Sequence, residues 1–83
     1  MSLKKSFSKD NKTCTVTFIV SKEAAQGAKT INLAGDFNSW SSTDTPLTLG
    51  NDGSFSVSLD LAADREYQFR YLLDGKHWEN DWA

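Results

Sequence analysis

Two tryptophans stand beside turns rather than inside strands. Trp40 sits in the polar run Asn38-Ser39-Trp40-Ser41-Ser42-Thr43, and Trp78 follows closely on an Asp74-Gly75 pair. A large indole is costly to leave in water and is usually at least half buried, so an indole in a serine-rich loop asks for a reason. Arg70 lies on the non-core face of the run "EYQFRYLL", alternating against Phe69 and Tyr71. If the chain folds back at Asp74-Gly75, Trp78 comes near the Arg70 and Leu72 side. Two indoles and a guanidinium on one surface form a shallow platform suited to a pyranose ring. Its axial C–H groups pack on an indole face, and its hydroxyls accept hydrogen bonds from arginine and amide donors. The competing reading is that each tryptophan caps one end of a hydrophobic core. Trp82, in the closing "NDWA", reads as a residue awaiting a partner strand.

Other chemistry finds little support. Aspartate and glutamate total eleven, but Asp36, Asp44, Asp52, Asp60, Asp64 and Asp74 fall in turns or on strand exteriors, where aspartate serves turn geometry. A nucleophilic triad needs a base beside a serine or cysteine. The single histidine, His77, reads instead as a solvated strand residue beside a hairpin. One cysteine and one histidine do not supply the three or four ligands of a zinc site, and Cys14 falls on the apolar face of its strand as a small core hydrophobe. The residues point to no enzyme, no metal and no cofactor.

The elements that must position the tryptophans follow from the pattern. At 83 residues, 39% hydrophobic and 24% charged, the chain has the composition of one globular domain with one core. A net charge of -2 argues against nucleic acid and against an anionic membrane surface as partners. No apolar run is long enough to span a bilayer, and "MSLKKSFSKD" lacks the apolar stretch of a secretory signal. The expected location is cytoplasmic.

The periodicity is two almost throughout. In "TCTVTFIV" Cys14, Val16, Phe18 and Val20 share one face. In "SFSVSLDL" Phe55, Val57, Leu59 and Leu61 point in, while Ser54, Ser56, Ser58 and Asp60 point out. "TINLAG" sets Ile31 and Leu33 on one side, "EYQFRYLL" sets Tyr67, Phe69, Tyr71 and Leu73 together, and "PLTL" and "KHWEN" are short strands. Asp74-Gly75 predicts a two-residue hairpin turn, and "GNDGS" another turn. "KEAAQGAK" predicts no more than one turn of helix, ended by Gly27. Short strands, spaced turns and no long helix predict an antiparallel β-sandwich.

Three blocks in order, "GDFNSW", "GSFSVSLDL" and "YQFRYLLDGKHWEND", resemble the glycogen- and starch-binding modules of the isoamylase N-terminal type. These form carbohydrate-binding module family 48, which includes the glycogen-binding domain of the AMP-activated kinase β subunit. Small stand-alone bacterial members are the nearest in kind. The resemblance runs from about Thr13 to the end of the chain. It implies an all-β, immunoglobulin-like early-set sandwich spanning residues 1–83 as a single domain, with the family's last strand expected to be absent. It further implies non-catalytic binding of α-1,4-linked glucans such as glycogen, starch or maltooligosaccharides.

In that family the tryptophan ending the loop and a second one after the DG turn stack on sugar, which match Trp40 and Trp78. The latter is displaced by one inserted residue, His77. A basic residue on the strand before the turn, often lysine, falls on Arg70, whose planar fork presents different hydrogen-bond geometry. Asn38 and Asn80 are expected as secondary contacts, with Gly35 and Asn38 shaping the loop that holds Trp40 out. The alternative is an interaction module that docks on an amylolytic enzyme or pairs with itself through a sheet edge, without binding sugar.

Overall fold

A computed structural model describes residues 2–80 of the chain. Seven strands follow in order: β1 Ser2–Phe7, β2 Thr13–Val20, β3 Ile31–Gly35, β4 Thr48–Leu49, β5 Phe55–Ala62, β6 Phe69–Leu73 and β7 His77–Glu79. They form two antiparallel sheets, one ordered β1-β2-β5-β4 and the other β3-β6-β7. Four strands facing three is the immunoglobulin constant-type arrangement, so the predicted sandwich is the observed one. Trp82 lies outside the described residues.

The alternation read from sequence sets the core. β2 and β5 pair Cys14 with Leu61, Val16 with Leu59, Phe18 with Val57 and Val20 with Phe55, so both inner rows meet in register. From the second sheet Ile31, Leu33, Tyr71 and Leu73 close over them, all nearly solvent-free. Phe18 and Phe69 meet edge-on with ring centroids 5.0 Å apart, and Phe69 meets Tyr71 in the same way at 5.9 Å. Cys14 is buried in this core, as its place on the apolar face predicts.

The connections follow their turn chemistry. Residues 22–27 make one helical turn, with Ala25 N–H donating to the Ser21 carbonyl at 2.9 Å, and it stops where Gln26 and Gly27 turn left-handed at φ 53° and 78°. Asp74 and Gly75 are both left-handed, at φ 54° and 69°, as a primed hairpin turn requires. The register, however, sets Leu73 opposite His77, so three residues rather than two span the connection.

Two further departures concern the strands themselves. β1 is a full edge strand that the sequence pattern hides, because its inward row Leu3, Lys5, Phe7 carries a lysine. β6 begins only at Phe69, because residues 67 and 68 are used to turn the corner. The Tyr67 hydroxyl accepts from the Ala62 N–H at 3.2 Å, and Gln68 N–H donates to Asp36 Oδ2 at 2.9 Å. A tyrosine bonding back to the backbone before this strand is the corner device of immunoglobulin sandwiches.

Candidate functional site

The outer face of the three-stranded sheet carries the residues singled out by sequence. Phe69 and Tyr71 face the core, so Arg70 and Leu72 must face out. Leu72 pairs with Trp78, and Arg70 pairs with Ala34. Continuing the first register by one step brings Asn80 level with Arg70. Ala34 and Leu72 are 0% and 6% exposed although they face away from the main hydrophobic cluster. They form a small dry floor, with Arg70 and Trp78 as cross-strand neighbours. Trp40 and Trp78 stay 41% and 47% exposed, more than a core-capping role would leave.

Trp40 is presented by a locally built loop. Gly35 ends β3 and a single 3-10 turn, Asp36–Asn38, follows. A Cβ at Gly35 would lie 2.6 Å from the Gln68 carbonyl oxygen and 2.8 Å from the Phe37 ring. Only glycine lets these three segments meet. Asn38 then ties the loop down: its Nδ2 donates to the Leu33 carbonyl at 2.8 Å and to Thr45 Oγ1 at 3.0 Å, and its Oδ1 accepts from Gly35 N–H at 3.0 Å. Asn38, expected as both loop-shaper and sugar contact, has its amide turned into the loop. Its donors are spent there.

Ser39 and Trp40 follow in the left-handed region at φ 56° and 58°, a conformation that costs a non-glycine residue on the order of 1 kcal/mol or more. What holds it is a pair of bonds. Trp40 N–H donates to the Gly35 carbonyl at 2.9 Å, and the indole Nε1–H donates to Asp36 Oδ1 at 3.0 Å. Asp36 thus spans from the indole to the backbone of Gln68. Those two bonds, the Gln68 N–H first and the indole second, hold its carboxyl below the ordinary 3.8, and the Arg65 charge adds to them. Sequence reading placed Asp36 among ordinary turn aspartates. The signal that finds it is a carboxylate four residues before a tryptophan across a tight turn.

Trp40, Gln68, Arg70 and Asn80 line one open groove of about 470 Å³, together with parts of Leu3 and Phe69. Trp78 is not on the groove wall. It lies in the middle of β7 rather than beside the turn as the sequence pattern suggests, one residue pair along the same face, opposite Leu72. The structure therefore brings Trp40, Arg70 and Asn80 together, sets Trp78 beside them on a shared sheet face, and places Asn38 beneath. His77 is an exposed residue of β7. Among the described residues, no three histidine, cysteine, aspartate or glutamate side chains gather where they would hold a metal ion.

An immunoglobulin-like sandwich with exposed aromatics and an arginine on one sheet face has the form of a binding module. The comparison with known families gives that class its identity. Residues 8–81 match the model of carbohydrate-binding module 48, the isoamylase N-terminal domain, and the chain belongs to this family. No curated protein matches the chain.

Proposed function

We propose that this module binds α-1,4-linked glucans such as glycogen, starch and maltooligosaccharides without catalysing a reaction on them. The observation that carries the reading is the half-exposed pair Trp40 and Trp78, with Arg70 sharing a groove with Trp40 and a sheet face with Trp78. An indole anchored by its Nε1–H and 41% exposed offers stacking area at little further cost in ordering. Membership of the isoamylase N-terminal family supports a sugar as partner. The α-1,4 linkage follows from the family's tie to enzymes acting on such glucans. In this reading Trp40 and Trp78 stack, Arg70 donates to hydroxyls, and Asn80 adds an amide beside it.

An open platform excludes little water and must order a flexible ligand, so affinity falls on the order of 10 µM to 1 mM. Tryptophan fluorescence during a maltoheptaose titration tests the proposal, with cellohexaose as control. Saturable change with the α-glucan alone is expected, and Trp40→Ala should abolish most of it. Unchanged fluorescence at millimolar sugar, combined with concentration-dependent association in sedimentation, would favour a docking module whose partner covers the indoles.

A further inference from the structure

A second cleft, of about 380 Å³, opens beside the groove at Trp40. This is within the usual range for small-ligand sites. One wall is the inward row of β1. The other is the segment leading into β6. Leu3, Tyr67, Gln68 and Phe69 line both the groove and the cleft, so the two are one continuous depression. Phe7 pairs with Cys14 and so lies on the core side of its strand, yet it is 57% exposed. Lys5 sits on the same row and is also exposed.

Arg65 links the two halves. Its guanidinium stands 5.7 Å from the Tyr67 ring centroid, and its charge is felt at Asp36, the anchor of Trp40. Nothing in the glucan reading above uses Phe7, Lys5, Arg65 or Tyr67.

The structure assigns this cleft, on the proposed reading of the module as a glucan binder, to further glucosyl residues of a chain that starts on Trp40. Buried Cys14, Val16 and Phe18 form the floor of the cleft, and the rim above them selects a sugar over an apolar peptide segment. Phe7 and Tyr67 offer ring surface for pyranose C–H groups, while Lys5, Arg65 and Glu66 stand at the lip. Burying those charges against aliphatic side chains would cost several kcal/mol apiece, whereas hydroxyls replace the water they lose. A short oligosaccharide would fill the platform alone, and a longer one would reach into the cleft.

An NMR titration of ¹⁵N-labelled protein with maltotriose and with maltoheptaose decides the matter. Both sugars should move the amides of Trp40 and Arg70. Only maltoheptaose should move those of Lys5, Phe7 and Arg65. Phe7→Ala, at an exposed position, should weaken maltoheptaose about three- to tenfold and leave maltotriose within twofold. Lys5→Ala, at a residue that lines the cleft but not the groove, gives the same comparison should the first variant fold poorly.

Equal losses for both sugars, or no loss for either, would overturn the extended site while leaving the platform in place. Cleft amides that stay still with maltoheptaose while Trp40 moves would do the same. A titration in which neither sugar moves any amide would overturn both readings.

Discussion

The two outer faces of this sandwich are built by the same alternation and have become opposite surfaces. On the four-stranded sheet, the outward rows of β2 and β5 bond to one another: Thr15 Oγ1 donates to Asp60 Oδ1 at 2.6 Å, and the hydroxyls of Thr17 and Ser58 lie 2.8 Å apart. That face is small, polar and wet. On the three-stranded sheet the outward rows are Asn32, Ala34, Arg70, Leu72 and Trp78, with Ala34 and Leu72 hardly reached by water. The fold is indifferent to which residues face out, so the outward positions are free to carry a site. Only one sheet uses that freedom for aromatic surface.

The contrast can be broken most severely at Gly35. Gly35→Ala forces a methyl group against the Gln68 carbonyl and the Phe37 ring, with an expected loss of about 1–3 kcal/mol. Thermal unfolding should register it, and a Tm unchanged within a degree would refute the close approach. Next comes Trp78→Ala, expected to weaken maltoheptaose about tenfold, or about 1.4 kcal/mol. Its melting point should move little, since nearly half of the side chain is already in water. Isothermal titration measures the first effect and calorimetric melting the second.

Acid sharpens the comparison further. Asp36 is held below 3.8 by the Gln68 amide and the Trp40 indole. A carboxyl lowered in the folded state contributes fully above its unfolded value, and that contribution is lost as pH falls through the folded value. Glucan affinity should therefore stay level from neutral pH to about 4 and fall below 3.8. Asp10, Asp52 and Asp74 are lowered in the same direction by hydrogen bonds of their own, from the Ser8 hydroxyl, from Ser54 and from the Thr30 and Lys29 amides respectively. Global stability should decline over the same range. Asp36→Asn separates the two, weakening binding a few-fold at neutral pH while leaving the acid unfolding curve nearly in place. The smallest effect belongs to the other face. Thr17→Ala should change stability by no more than about 0.5 kcal/mol and leave glucan affinity untouched. A measurable loss of binding would mean that sugar visits the wrong sheet.

What could be read in advance, and what could not, divides along physical lines. β2 and β5 were legible because eight residues of unbroken alternation leave one register that buries an apolar row. The DG turn was legible because few residue pairs accept left-handed geometry twice in succession. β1 was hidden because an edge strand is free to carry an inward lysine, and Lys5 breaks the pattern that identifies a strand. The late start of β6 was hidden because the strand alternation runs on through Tyr67 and Gln68, while the Gln68 bond to Asp36 that turns the corner joins residues 32 apart. Trp40, Arg70 and Trp78 were singled out by their residue types, and the structure shows all three exposed. Asp36 leaves a local trace in its spacing to Trp40, but its bond to Gln68 and the link through Arg65 depend on contacts distant in sequence.

The pairing of β2 with β5 has a consequence in time. Thr13 pairs with Ala62, so the central ladder of the larger sheet joins two segments separated by residues 21–54. Closing such a loop comes at an entropic cost before any contact rewards it, and topologies of this kind fold in milliseconds to seconds rather than microseconds. During synthesis, β2 must wait with its apolar row exposed until β5 has left the ribosome. Over that interval the lysines of β1, already paired beside it or free, are the residues best placed to keep one nascent chain from adhering to the next.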